Sequence, residues 1–170
     1  VRSERPDAGG LHGCGMRRNV GYVVEGCSEA WTRAMDDIVI AVMIEKTGAV
    51  AELEEILSIP GVDMVQFGPG DFSISYGKPG QGRLPEIQAS HRKMIEMALK
   101  KGVAPRIEIG SFDQAKPFID MGVRHFCIGW DVGILYGWWR TNGEKLRAAV
   151  GVPEATAGTS QQAGYGVTDR

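Results

Sequence analysis

Residues 38–71 read IVIAVMIEKTGAVAELEEILSIPGVDMVQFGPGD, and their pattern decides the fold. Residues 38–44 are a continuous apolar run rich in β-branched side chains. Such a run suits a strand covered on both faces, as in a parallel sheet. Thr47 is placed to cap a helix in which Val50, Leu53, Ile56 and Leu57 share one face, and Pro60-Gly61 ends it. Residues 62–67 form the next strand, followed by Gly68-Pro69-Gly70-Asp71.

The same rhythm continues outward. Residues 85–101 predict a helix with Pro85 in its first turn and Ile87, Met94, Ile95 and Ala98 on one face. Lys100 and Lys101 oppose the negative end of its dipole, and Gly102 closes it. Residues 103–109 are a third strand. Ser111 and Gln114 form a capping box for a further helix, which Pro117 should kink or shorten and Gly122 ends. Residues 124–130 are a fourth strand, and a helix through Ile134, Leu135, Trp138 and Trp139 follows, with Asp131 as its cap. The order β-α-β-α-β-α-β-α implies parallel strands with right-handed crossovers. Four units make half of an eight-unit barrel of about 250 residues. A four-stranded open sheet is the alternative.

Upstream, residues 28–36 suit a short helix capped by Ser28, and residues 1–24 read as a loop. Gly10, Gly13 and Gly15 do not make a dinucleotide fingerprint, because no strand precedes them. From about residue 153 the chain is Gly, Ala, Ser, Thr and Gln, too poor in apolar surface to offset ordering entropy, so residues 151–170 are expected to be a disordered tail behind a domain of residues 1–150.

The 170 residues carry a formal charge of −2, which gives no support to a nucleic-acid or membrane-surface partner. No run of about 18 apolar residues suggests a membrane span. Cys14, Cys27 and Cys127 are odd in number and unpaired in spacing, as in a reduced, cytoplasmic protein. His12, His91 and His125 form no metal-ligand pair.

Two acids stand out. Glu45 follows the first strand and Asp71 the second, and C-terminal strand ends converge on the site in parallel α/β folds. Two carboxylates there can share one hard divalent cation, leaving room for water and substrate oxygens. The plainer readings are a solvated or helix-capping Glu45, a turn aspartate at Asp71, and a mere turn at Gly68-Pro69-Gly70. Arg106 and Glu108 lie two apart on a strand and share a face, either as a structural pair or near an acidic substrate.

Residues 38–80 closely resemble the metal-dependent class II pyruvate aldolases, whose type member is 2,4-dihydroxyhept-2-ene-1,7-dioate aldolase, in the phosphoenolpyruvate/pyruvate barrel superfamily. The residues that carry the resemblance are Glu45-Lys46, Pro60-Gly61-Val62-Asp63 and Gly68-Pro69-Gly70-Asp71-Phe72-Ser73, continuing through Gly122 to Gly129-Trp130-Asp131. It covers most of residues 1–145 and implies the C-terminal half of a (β/α)8 TIM barrel. It implies Glu45 and Asp71 as ligands of Mg2+ or Mn2+, with Co2+ a further alternative, and a pyruvate carboxylate held at Gly68, Pro69, Gly70 and Asp71. The implied reaction cleaves a 2-keto-4-hydroxy acid to pyruvate and an aldehyde through a metal-stabilised enolate, in a homo-oligomer.

The chain departs from the family pattern at three places. Met43 stands where some members carry a substrate-contacting Gln, and His12 stands for Arg in the glycine-rich segment. The four strands that give the family its histidine base and its transition-state arginine have no counterpart in this sequence. No catalytic base is therefore assignable, and a catalytically incompetent half barrel that only binds metal or assembles is the rival reading.

Overall fold

The computed structural model describes residues 9–11, 13 and 26–152. The chain divides into two compact units, residues 1–40 and 41–170. In the first, helix α1 (Glu29–Asp36) begins as expected: the Ser28 hydroxyl accepts from the Trp31 amide at 3.1 Å.

Among the described residues, the second unit holds four strands, β1 (Ala41–Ile44), β2 (Met64–Phe67), β3 (Ala104–Ile109) and β4 (His125–Ile128). They pair in parallel in chain order, with Ala41 opposite Met64, Met64 opposite Ala104 and Arg106 opposite His125. This is the four-unit parallel arrangement expected of a partial barrel. The strands are shorter than the apolar runs suggested, because residues 38–40, 62–63 and 103 lie outside the ladders.

One sheet face is covered. Val65, Phe67, Ile107 and Ile109 alternate onto it and meet Leu53, Leu57, Ile87, Met94, Ile95 and Ala98. The last four belong to α5 (Pro85–Lys101), whose buried stripe and left-handed Gly102 terminus agree with the sequence reading. Val103 N–H returns to the Ala98 carbonyl at 3.0 Å, satisfying one of the carbonyls that a helix end leaves open. The other sheet face presents Met43, Gln66, Arg106, Glu108 and His125, and Met43, Glu108 and His125 are exposed.

Several local expectations are corrected. The helix read across residues 47–57 is two short helices, α2 (Thr47–Ala51) and α3 (Leu53–Ile56), separated at Glu52. Thr47 is the first helical residue and not its cap; Lys46 holds the cap position without a side-chain bond. Ser111 caps only a 3₁₀ turn (Phe112–Gln114), without a side-chain bond, and Gln114 Oε1 accepts from Gly110 N instead. Pro117 lies in the first turn of a separate short helix, α6 (Lys116–Asp120), where its missing N–H costs nothing. Asp131 is the first residue of α7 (Asp131–Ala149), behind Trp130 at the cap position, and its carboxylate accepts from Val132 N at 2.8 Å. Trp138 and Trp139 on α7 are exposed. The expectations for His12, Cys14 and residues 153–170 lie outside the described residues.

Candidate metal and keto-acid site

Glu45 stands directly after β1, and the last bond between β1 and the segment after β2 brings Gly68 beside it: Gly68 N–H donates to the Ile44 carbonyl at 3.0 Å. That bond lays the Glu45 side chain across Gly68. A Cβ built on Gly68 would lie 2.8 Å from Glu45 Oε2, 3.1 Å from Glu45 Cβ and 3.2 Å from Met43 Sδ. Only a residue without a side chain admits this approach, so the glycine has a steric reason to be there. Its φ of −101° is one that any residue adopts.

Gly68 is also the cap residue of α4 (Pro69–Ser75), which carries Asp71 in its first turn. Pro69 opens the helix at a position where its missing N–H is no loss. The amides of Gly70 and Asp71 belong to the first turn, where a helix supplies no internal acceptor. Glu45 Oε2 is thus brought onto Gly68, and the exposed Asp71 follows three residues later. Among the described residues, no cation is paired with either carboxylate.

The donor set fits a hard divalent cation. It consists of two carboxylates, Glu45 and Asp71, and Mg2+ commonly takes one or two carboxylates while retaining water. Among the described residues, no group of three or more His, Cys, Asp or Glu side chains gathers to hold a metal.

Arg106 and Glu108 share the uncovered face of β3, as their spacing required, but they do not pair with each other. Gln66, opposite Arg106 in the ladder and 5% exposed, stands between them. Its Oε1 accepts from Arg106 Nη1, and its Nε2 donates to Glu108 Oε2 at 3.3 Å. Sequence reasoning missed Gln66; the available signal was one amide in an otherwise apolar strand. Gln66 is also opposite Met43 in the ladder, so an amide lies in the row of Met43, one strand over.

His91 lies on the covered side of the sheet, away from this face. Its ring stacks on Phe67 at 4.9 Å and lies 5.6 Å from Phe118. Burial lowers its pKa from 6.5 to about 4, so it is neutral near neutral pH.

Comparisons with known proteins bear on the family and the fold. The model of a family described as HpcH/HpaI aldolase/citrate lyase matches residues 12–136. A 4-hydroxy-2-oxo-heptane-1,7-dioate aldolase from Escherichia coli is 30% identical over 135 residues, covering 79% of this chain and 52% of that protein. The chain therefore spans about half the length of the curated relatives it matches. The crystal structure of an HpcH/HpaI aldolase/citrate lyase family protein from Burkholderia cenocepacia superposes with a TM-score of 0.71 at 26% identity, over 86% of this chain and 57% of the other. An HpcH/HpaI aldolase from Desulfitobacterium hafniense gives a TM-score of 0.63 at 25% identity, over 69% and 46% of the two chains.

Proposed function

From the premise that this chain belongs to the HpcH/HpaI aldolase/citrate lyase family, we propose that it contributes the metal and keto-acid half of a carbon–carbon lyase site. The reaction is cleavage of a 2-keto-4-hydroxy acid to pyruvate and an aldehyde. The observation that carries the reading is the placement of Glu45 Oε2 against a bare Gly68, with Asp71 in the turn that Gly68 begins.

Glu45 and Asp71 would hold a divalent ion, Mg2+ or Mn2+. When bound, the ion supplies Lewis acidity to the keto oxygen of the substrate. The chain's own residues do the rest of the binding. The compact turn Gly68-Pro69-Gly70-Asp71 lets backbone amides approach the substrate carboxylate, with no side chain interposed at Gly68 or Gly70. The polar face of Gln66, Arg106 and Glu108 lies on the same side of the sheet. The exposed apolar row of α7, with Trp138 and Trp139, supports assembly into a homo-oligomer.

A second reading has an observation in its favour. No catalytic base is assigned among the described residues, and the chain spans about half the length of the curated relatives it matches. It would then bind metal or assemble without turnover. A pyruvate-forming assay on the 170-residue chain, with Mn2+ and a 2-keto-4-hydroxy acid, separates the two readings. Losing a general base or an oxyanion partner costs about a hundredfold or more in rate, so the chain alone should turn over poorly. Supplying the N-terminal half of a relative's barrel should restore turnover if the lyase reading is right. Failure to restore it, with metal bound, favours the non-catalytic reading.

A further inference from the structure

We infer that Ser75, acting through the backbone amide of Thr47, fixes the spacing of Glu45 and Asp71 and is a positioning residue of the metal centre. The inference rests on the metal-centre reading above.

Helix α2 begins two residues after Glu45. The first amides of any helix lack an internal acceptor, and a cap side chain usually supplies one. Here Lys46 occupies the cap position and makes no side-chain cap bond. The acceptor comes from another element: Thr47 N–H donates to Ser75 Oγ at 3.1 Å, 28 residues along the chain. Thr47 Oγ1 lies 3.4 Å from the same hydroxyl. Ser75 is the last residue of α4, the helix whose first turn carries Asp71. One cap bond therefore joins the segment after Glu45 to the helix that holds Asp71.

A second serine anchors α4 on its other side. Ser73 is fully buried; its Oγ donates to the Gly70 carbonyl at 2.6 Å and accepts from Gly80 N at 3.2 Å. Lys78 N–H reaches the Ser73 carbonyl at 2.8 Å, and Gly82 lies so close to Pro69 that a Cβ there would meet the Pro69 carbonyl at 3.0 Å. These contacts tie the turn at Gly70 to the loop after α4. Phe72 seals the helix onto the core. With Ser73 and Phe72 in place, and Gly68 still bonded to the Ile44 carbonyl, loss of the Ser75 bond leaves α4 docked and frees only the start of α2, directly behind Glu45. A cation held by two protein carboxylates is sensitive to their spacing, because each must reach the same ion at a metal–oxygen distance of about 2.1 Å.

The test is calorimetric titration with Mn2+ alone, alongside thermal melts without metal. Ser75→Ala removes the acceptor. Thr47→Pro removes the donor at a first helical position, where proline is otherwise well tolerated. Each should weaken Mn2+ binding about tenfold, the scale seen when a group supporting a metal ligand is removed. The two changes combined should lose no more than either alone, because they break the same bond. Ser75→Thr, which keeps the hydroxyl, should bind like the parent chain. Thr47→Ala, which keeps the amide, should do the same. Unchanged affinity in Ser75→Ala and Thr47→Pro, with binding abolished by Glu45→Gln and Asp71→Asn, overturns the positioning role and leaves the metal centre standing. Unchanged binding in all four overturns both. A loss of binding that only tracks a lower melting temperature assigns Ser75 a purely structural part and also overturns the inference.

Discussion

Gly68→Ala is the smallest change that tests the site geometry. The backbone at Gly68 has φ −101° and ψ 85°, so the substitution meets no penalty from the left-handed region. Its whole effect comes from one new methyl group, which would lie 2.8 Å from Glu45 Oε2, against 3.4 Å for the near edge of ordinary contact. The carboxylate must retreat by the difference, about 0.6 Å. Rotation of the Glu45 side chain cannot relieve everything, because Glu45 Cβ is also too close at 3.1 Å and Met43 Sδ at 3.2 Å. The carboxylate and the half-exposed Met43 can swing aside, so the cost to stability should stay below the roughly 1–3 kcal/mol of overpacking in a closed core. A ligand moved by more than about 0.5 Å leaves productive geometry, so Mn2+ affinity should fall by about tenfold or more. Calorimetric titration reads the affinity, and urea unfolding the stability. Gly48→Ala is the control: nothing lies within 4 Å of its Cβ, and its helical position should gain about 0.5–1 kcal/mol from alanine. A folded Gly68→Ala protein that binds Mn2+ as tightly as the Gly48→Ala control would refute the reasoning.

The remaining predictions concern groups near the site and the core. His91 has a folded pKa of about 4 against 6.5 unfolded, so the unfolded chain takes up the proton first and acid favours unfolding. Stability should be full above the unfolded value, fall as pH drops from 6.5 towards 4, and lose about 3 kcal/mol in all at 1.36 kcal/mol per pKa unit. Urea unfolding at about pH 7 and about pH 4 should show that loss in the parent chain and not in His91→Phe, and equal slopes in both would remove His91 from the account. Gln66→Leu strips the acceptor from Arg106 and the donor from Glu108. Because Glu108 is exposed and Arg106 half-buried, water can replace the lost bonds, so it should destabilise by no more than about 1 kcal/mol in urea, and a loss well above that would mean that the bridge carries more of the fold than its exposure allows.

The elements that periodicity controls were legible in the sequence. The apolar runs marked all four strands, and the stripe of Ile87, Met94, Ile95 and Ala98 with Gly102 behind it delimited α5. The approach of Glu45 to Gly68 was not legible, because it depends on the ladder bond between Gly68 and Ile44. The same limit hid the bridge of Gln66 between Arg106 and Glu108, which requires knowing that Gln66 stands opposite Arg106. Thr47 was misread as a cap because local patterns assume that a helix is capped by its own neighbours. Its amide is satisfied instead by Ser75, a partner that only the fold brings near. Pro117 opens a separate short helix and does not kink a longer one, and that place depends on where the preceding turn ends.

The claim on which the rest depends is that Glu45 and Asp71 share one divalent cation. Calorimetric titration of the chain with Mn2+ tests it most directly, comparing the parent with Glu45→Gln and Asp71→Asn. These substitutions keep shape and remove charge. The account predicts a single binding event in the parent that either substitution abolishes, while melting without metal stays close to that of the parent. Mn2+ binding of unchanged affinity and stoichiometry in both variants would contradict it.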